Sequence, residues 1–280
     1  MKRQLHILVC LKVVPKSEEV GVDRETMVLD RANARQEINP PDMNALETAL
    51  ALKDRWDARV SLLSMGPPFV AQYLRVGLAM GADDAYLLSD RALGGADTLA
   101  TSLPLARAIE KIGEVDLVIC GEESSDGATA QVPPGIAAWL GVPQATYAME
   151  VDFDPEKWRA FVTREIRDGE ETLDVPLPAV VSVKVSCNEP RFINPARWDH
   201  LRELGNVQVW SAADLDLDPD HIGFAGSPTS VAGLSDSRGG QSGRRREMIT
   251  GTPEQEARIL YERITAFLRE GAGLAQETGP

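Results

Sequence analysis

Residues 115–132 read VDLVICGEESSDGATAQV, and this stretch decides the fold. The apolar run Val115–Cys120 has the length of a buried strand. It passes without a break into small, hydroxylated and acidic residues, and the chain then turns apolar again from Pro133 to Leu140. A strand that ends in small polar residues and restarts as a helix is where α/β proteins hold ligands. Phosphates and ribose hydroxyls need many short-range donors and acceptors, and bulky side chains would keep them from the backbone. Gly121, Ser124, Ser125, Gly127, Ala128, Thr129 and Ala130 supply such a lining, and the helix after them would turn its positive end to an anion. An ordinary strand-to-helix loop fits the same residues, so the rest of the chain must decide.

Outward from this stretch, strand and helix signals alternate over the first ~185 residues, the pattern of a mainly parallel sheet with helices on both faces. Strands are expected at Leu5–Leu11, Val60–Ser64, Ala85–Leu88, Val115–Cys120 and Pro178–Val185. Helices are expected at Met43–Lys53, Phe69–Met80, Thr98–Ile112 and Pro133–Leu140. In the first helix Ala45, Ala49 and Leu52 share one stripe, as a core-facing helix requires. Phe161–Thr163 and Glu171–Val175, around Arg167-Asp168-Gly169, read as a hairpin.

The character changes after Ser186. The segment from Cys187 to Gly205 carries two prolines and little periodicity and reads as an extended arm. Val207–Trp210 is short and strand-like, and Leu234–Arg246 reads as a flexible loop. A terminal helix follows, with Thr252 as its cap, Pro253 in its first turn and Gln255 completing a capping box. Its apolar positions Ala257, Leu260, Tyr261, Ile264 and Phe267 recur at helical spacing. The chain divides accordingly into a nucleotide-binding α/β domain, 1–185, and a partner-docking arm, loop and helix, 186–280.

Composition narrows the partners. The chain has 280 residues, a formal net charge of −14 and a pI of about 4.7. Such acidity argues against nucleic acid or an anionic membrane as the main partner. The apolar start of the chain stops at Lys12, short of a membrane span, and reads as a first strand. Cys10, Cys120 and Cys187 are odd in number, widely spaced and set in or beside apolar runs, which suits reduced thiols in the cytoplasm. No GxGxxG follows the first strand and no GxxxxGK[ST] occurs. Three scattered histidines support neither a metal site nor a catalytic triad. Gly94 and Gly95, ahead of a helix opening at Thr98, make either an anion cradle or a tight turn capped by Asp97 or Thr98. Polar loops without a catalytic set point to holding a cofactor.

The words ILVCLKVVP (7–15), INPPDMNALETALALKD (38–54), LRVGLAMGADDAYLLSD (74–90), the 121–144 stretch ending LGVPQ, and REIRDGEETLDVPLPAVVSVKVSCNEPR (164–191) occur in this order over nearly the whole chain. Together they resemble the beta (small) subunit of electron transfer flavoproteins. The resemblance implies a Rossmann-like fold, a heterodimer with an FAD-bearing alpha subunit, and an adenine-nucleotide pocket in the beta subunit itself. That pocket holds AMP in ordinary carriers and a second FAD in the flavin-bifurcating branch. The matching positions are Cys10, Asn39, Pro40, Asp42, Met65, Gly66, Gly121 and the run Asp126, Gly127, Ala128, Thr129, Ala130, Gln131, Val132. In the bifurcating branch a second loop, here Asp90, Arg91, Gly94, Gly95, Ala96, Asp97 and Thr98, helps enclose the flavin ring, with Arg91 placed to stabilise an anionic flavin.

The resemblance leaves alternatives open. LSMGPP (63–68), VQVWSAADL (207–215) and IGFAGSPTSV (222–231) resemble the bifurcating branch. ESSDGAT stands where that branch usually has QAIDGDT, and ESSD is closer to AMP-bearing carriers. After NEPR the family commonly continues with a leucine-bearing docking segment, whereas this chain has Pro195 near the anchor. Phe192 or Trp198 would then either hook a partner or pack the arm onto the core. The implied function is electron transfer between flavin dehydrogenases and a quinone reductase or ferredoxin. The alternatives are a bifurcating, NADH-oxidising subunit and a stand-alone nucleotide-binding protein of the universal-stress type.

Overall fold

The computed structural model describes residues 3–16, 21–22, 29–30, 35–204, 207–230 and 249–274. The loop expected at Leu234–Arg246 lies outside them. The chain forms two compact units, Met1–Leu234 and Ser235–Pro280. The first opens with β1 (His6–Cys10), and two small antiparallel ribbons follow. In these β2 (Val13–Pro15) pairs with β5 (Gln36–Ile38), and β3 (Gly21–Val22) with β4 (Leu29–Asp30). Next come α1 (Pro40–Trp56), β6 (Arg59–Met65), α2 (Ala71–Met80), β7 (Asp84–Leu88), α3 (Thr98–Ile112), β8 (Leu117–Gly121) and α4 (Val132–Leu140). The unit continues with β9 (Gln144–Asp154), β10 (Arg159–Ile166), β11 (Gly169–Pro176), β12 (Ala179–Val183), α5 (Pro195–Leu204) and β13 (Val207–Trp210).

One sheet runs β11-β10-β9-β12-β8-β1-β6-β7-β13. Every neighbouring pair from β9 to β13 is parallel, and β10 is antiparallel to both of its neighbours. This is the α/β architecture expected from the alternating signals. Period-two alternation divides the core. Ile7, Val9, Leu62, Leu87 and Ile119 face α1 and α2, meeting Leu46, Leu50, Leu74 and Leu78. Leu8, Leu63, Leu88 and Val118 face α3 and α4, meeting Leu105, Ile109 and Ile136. Each such buried side chain contributes about 1.5–3 kcal/mol relative to exposure. The strand order reverses at β1: β6 and β7 lie to one side, β8 and β12 to the other. The loops leaving β1 and β8 therefore part to opposite faces, and the crevice between them is where open α/β sheets bind ligands.

The structure differs from the sequence reading in several elements. α1 begins at Pro40, ahead of the expected Met43, because Pro40 and Pro41 fall in a first turn that has no need of their N–H groups. Residues 68–70 form a 3-10 turn ahead of α2. β9 is hidden in the sequence because its alternation breaks at a bulge, where Tyr147 takes φ 60 and the register against β12 shifts. The segment read as an extended arm contains α5. The Asn194 side chain caps it by accepting from the N–H groups of Ala196 (3.0 Å) and Arg197 (3.3 Å), with Pro195 opening the helix. Asn-Pro is a helix-start signal, and it was hidden by the polar composition around it. Arg197 donates to the carbonyls of Leu78 (3.1 Å) and Ala82 (2.7 Å), tying α5 to the end of α2 and the turn after it. Trp198 packs on the core, whereas Phe192 is 96 % exposed.

In the second unit α6 (Pro253–Leu274) begins as expected, with the Thr252 N–H donating to Gln255 Oε1 at 3.0 Å. Leu260, Tyr261, Ile264 and Phe267 are all exposed. Among the described residues no helix is long and apolar enough to cross a membrane.

Candidate functional site

Strands β1, β6, β7 and β8 end at Cys10, Met65, Leu88 and Gly121 on the same edge of the sheet, so the loops after them share one crevice. Two polar side chains from the start of α1 hold that edge together. Asp42 is buried. Its Oδ2 accepts from the Lys12 N–H at 2.7 Å and its Oδ1 from the Gly121 N–H at 3.0 Å, which joins the loops after β1 and β8. Burial pushes the Asp42 carboxyl up to about 7, opposed by these two N–H groups, by Asn39 and by the Lys12 charge. Asn39 is also buried; its Nδ2 donates to the Glu123 carbonyl at 2.8 Å and its Oδ1 accepts from the Ser125 N–H at 3.0 Å. A Cβ on Gly121 would lie 2.5 Å from Asp42 Oδ1 and 2.6 Å from Pro41 Cβ, so only glycine lets α1 close on β8. Pro40 is exposed at the first position of α1.

The loop this clamp holds turns outward. Ser125 and the run Asp126 to Thr129 are exposed, as is Gln131. The N–H groups of Gly127 (3.2 Å) and Ala128 (2.8 Å) both bond the Ser124 carbonyl, which folds the loop into a tight turn. Ala128 and Ala130 adopt φ 47 and φ 53. Left-handed backbone at a non-glycine residue costs on the order of 1 kcal/mol and persists only where its surroundings impose it. Ala130 is followed by right-handed Gln131 (φ −94, ψ −20), the succession that turns consecutive N–H groups toward an anion. The expectation that α4 itself faces the anion needs refinement. Pro133 and Pro134 sit in its first turn and carry no N–H, so Val132 and the loop before it must supply the donors. Cys10 lies partly buried beside Cys120, whose thiol is pushed up by its hydrogen bond to Cys10 and by burial, as suits inert thiols of the crevice floor. At the β6 end Met65 is half-buried, and the Gly66 N–H meets the Leu88 carbonyl at 2.9 Å.

The second loop is built as firmly. Asp90 accepts from the N–H groups of Ala92 (3.0 Å) and Ala212 (3.1 Å), and those bonds hold its carboxyl below the usual range. Asp97 caps α3 through the N–H groups of Leu99 and Ala100, both at 3.0 Å. Its other oxygen accepts from the N–H (3.0 Å) and hydroxyl (2.7 Å) of Thr229. Burial opposes ionisation of Asp97, and these donors outweigh it, leaving its carboxyl lowered. The Ser227 hydroxyl accepts from the Asp97 N–H at 2.8 Å, so segment 222–229 is pegged to the loop. Gly95 (φ 73) lies against Phe224, while Arg91 and Gly94 are exposed and Ala96 is half-buried. The Thr98 hydroxyl donates to Gln131 Oε1 at 2.8 Å and links the two loops directly.

The residues singled out from the sequence thus gather at one edge. The reading missed Lys12, whose Nζ reaches Asp126 Oδ1 at 2.6 Å and Ser124 Oγ at 3.1 Å. Its signal was its place as the first charge after the apolar first strand. The exposed hydroxyls, the amide and the turned N–H groups, with the Lys12–Asp126 pair beside them, suit a polar, anionic ligand.

Residues 26–214 match the electron transfer flavoprotein domain. The chain belongs to the electron transfer flavoprotein family. It is 38 % identical to the electron transfer flavoprotein subunit beta of Thermoanaerobacterium thermosaccharolyticum, over 94 % of this chain and 98 % of that one. Identity to the subunit beta of Megasphaera elsdenii is 44 %, covering 81 % and 86 % of the two chains. It is 41 % to the caffeyl-CoA reductase-Etf complex subunit CarD of Acetobacterium woodii, covering 90 % and 94 %. As an electron transfer flavoprotein beta subunit, the protein works in electron transfer, and its family associates with flavin and nucleotide.

Proposed function

We propose that this subunit binds an adenine nucleotide, FAD or AMP, in the crevice between the loops after β1 and β8. With an FAD-bearing alpha subunit it would pass electrons in the cytoplasm between flavin dehydrogenases and a quinone reductase, ferredoxin or other acceptor. The observation that carries this reading is the double clamp of Asn39 and Asp42. It fixes an exposed, donor-rich loop at the point where the strand order reverses. In this role the chain's residues bind and orient. Turned N–H groups of 129–132 meet phosphate, and the Thr129 hydroxyl, Gln131 amide and Asp126 carboxylate meet ribose and base. A flavin, where bound, supplies one- and two-electron transfer. The exposed Phe192 and the apolar face of α6 belong to the partner-docking part, 186–280.

A second reading has its own support. The Asp90–Thr98 loop is pegged by Ala212, Ser227 and Thr229, and Thr98 joins it to Gln131. Such a rigid second wall suits a ligand longer than AMP, namely FAD in a bifurcating, NADH-oxidising subunit with Arg91 near the ring. The site is tested with Gly127→Val, whose side chain crowds Ser124 and fills the loop mouth. The complex purified with its alpha subunit should lose the beta nucleotide and keep the alpha FAD. Unaltered nucleotide content in that variant refutes the assignment.

A further inference from the structure

The crevice poses an electrostatic difficulty. Its loop carries Glu122, Glu123 and Asp126, and the prolines of α4 remove two donors from the helix end that would meet an anion. Glu122 turns away, its Oε1 accepting from the Val185 N–H at 3.2 Å, but a phosphate dianion beside the Asp126 carboxylate still needs a cation. Lys12 is placed to be it. Its backbone is pinned, because its N–H donates to the buried Asp42 carboxylate at 2.7 Å. From there its ammonium spans the crevice to Asp126 (2.6 Å) and Ser124 (3.1 Å). The Lys12 side chain keeps 47 % exposure while that of Asp126 keeps 18 %, so the lysine is the more open partner of the pair. The Asp126 oxygen on Lys12 marks a position in which an anionic oxygen is stabilised.

We infer that Lys12 is a phosphate-binding residue of this crevice, its ammonium donating to a non-bridging oxygen of the ligand's phosphate while Asp126 and Ser124 steer it. The inference rests on the nucleotide reading above and adds to it a recognition element for the phosphate. The test uses the complex with the alpha subunit, freed of nucleotide in the beta crevice and titrated by equilibrium dialysis with AMP and with adenosine. Lys12→Met should weaken AMP about tenfold or more, the loss of one charge-assisted hydrogen bond, and leave adenosine within about twofold. Lys12→Arg should restore most of the AMP affinity. Unchanged AMP affinity in Lys12→Met overturns the inference. So does an equal loss for AMP and adenosine, which would make Lys12 only a brace for the loop. If the unsubstituted complex takes up neither ligand, the nucleotide reading itself has failed.

Discussion

Asp42 joins two chain segments through two oxygens, and both consequences can be measured. Its carboxyl is pushed up to about 7 in the folded chain, against 3.8 for an ordinary aspartate, chiefly by burial. A carboxyl raised in this way stabilises fully below the unfolded value, and the contribution fades as pH rises through about 7. Asp42→Asn removes that titration. The stability of the unsubstituted protein relative to the variant should therefore fall between pH 5 and pH 8, read as urea midpoints; a constant difference would contradict the buried, raised carboxyl. Gly121 offers a steric counterpart. Gly121→Ala puts a methyl 2.5 Å from Asp42 Oδ1 and should cost about 1–3 kcal/mol. Chemical denaturation of the variant measures it, and a loss below about 0.5 kcal/mol would mean that α1 gives way freely.

Among the elements, β1, β6, β7 and β8 were legible because their apolar runs are short, continuous and bounded by glycine or charge. α3 was legible from its Asp-Thr start. β9 was not, because a bulge at Tyr147 against β12 destroys its alternation, and α5 was not, because its helical face is mostly polar and only Asn194-Pro195 marks it. In the site, small residues after β8 announced the loop, whereas the Lys12–Asp126 contact joins positions 12 and 126 and leaves no local trace. The pegging of 222–229 is likewise a tertiary fact. Asp97→Ala should cost the α3 cap, about 1 kcal/mol, and release that segment as well. Asp97→Asn keeps a single acceptor oxygen, which can serve the α3 cap or Thr229 but not both. Limited proteolysis should cut within 222–229 faster in the alanine variant; equal cutting would mean that Asp97 does not hold it.

At the scale of the whole molecule, a mostly parallel sheet with a reversal at β1 and a clamped edge offers a fixed frame for the proposed nucleotide. The Asp126 carboxylate inside that frame and the missing N–H groups of Pro133 and Pro134 are why one lysine in the crevice carries weight. The account turns on the crevice holding an adenine nucleotide of its own. The most direct measurement is the nucleotide content of the complex with the alpha subunit, with FAD and AMP counted per heterodimer after mild denaturation. One adenine nucleotide beyond the alpha FAD is the expected result: AMP would make this a carrier with a structural nucleotide, and a second FAD would favour the bifurcating reading. A complex with one FAD and no further adenine nucleotide would contradict the account.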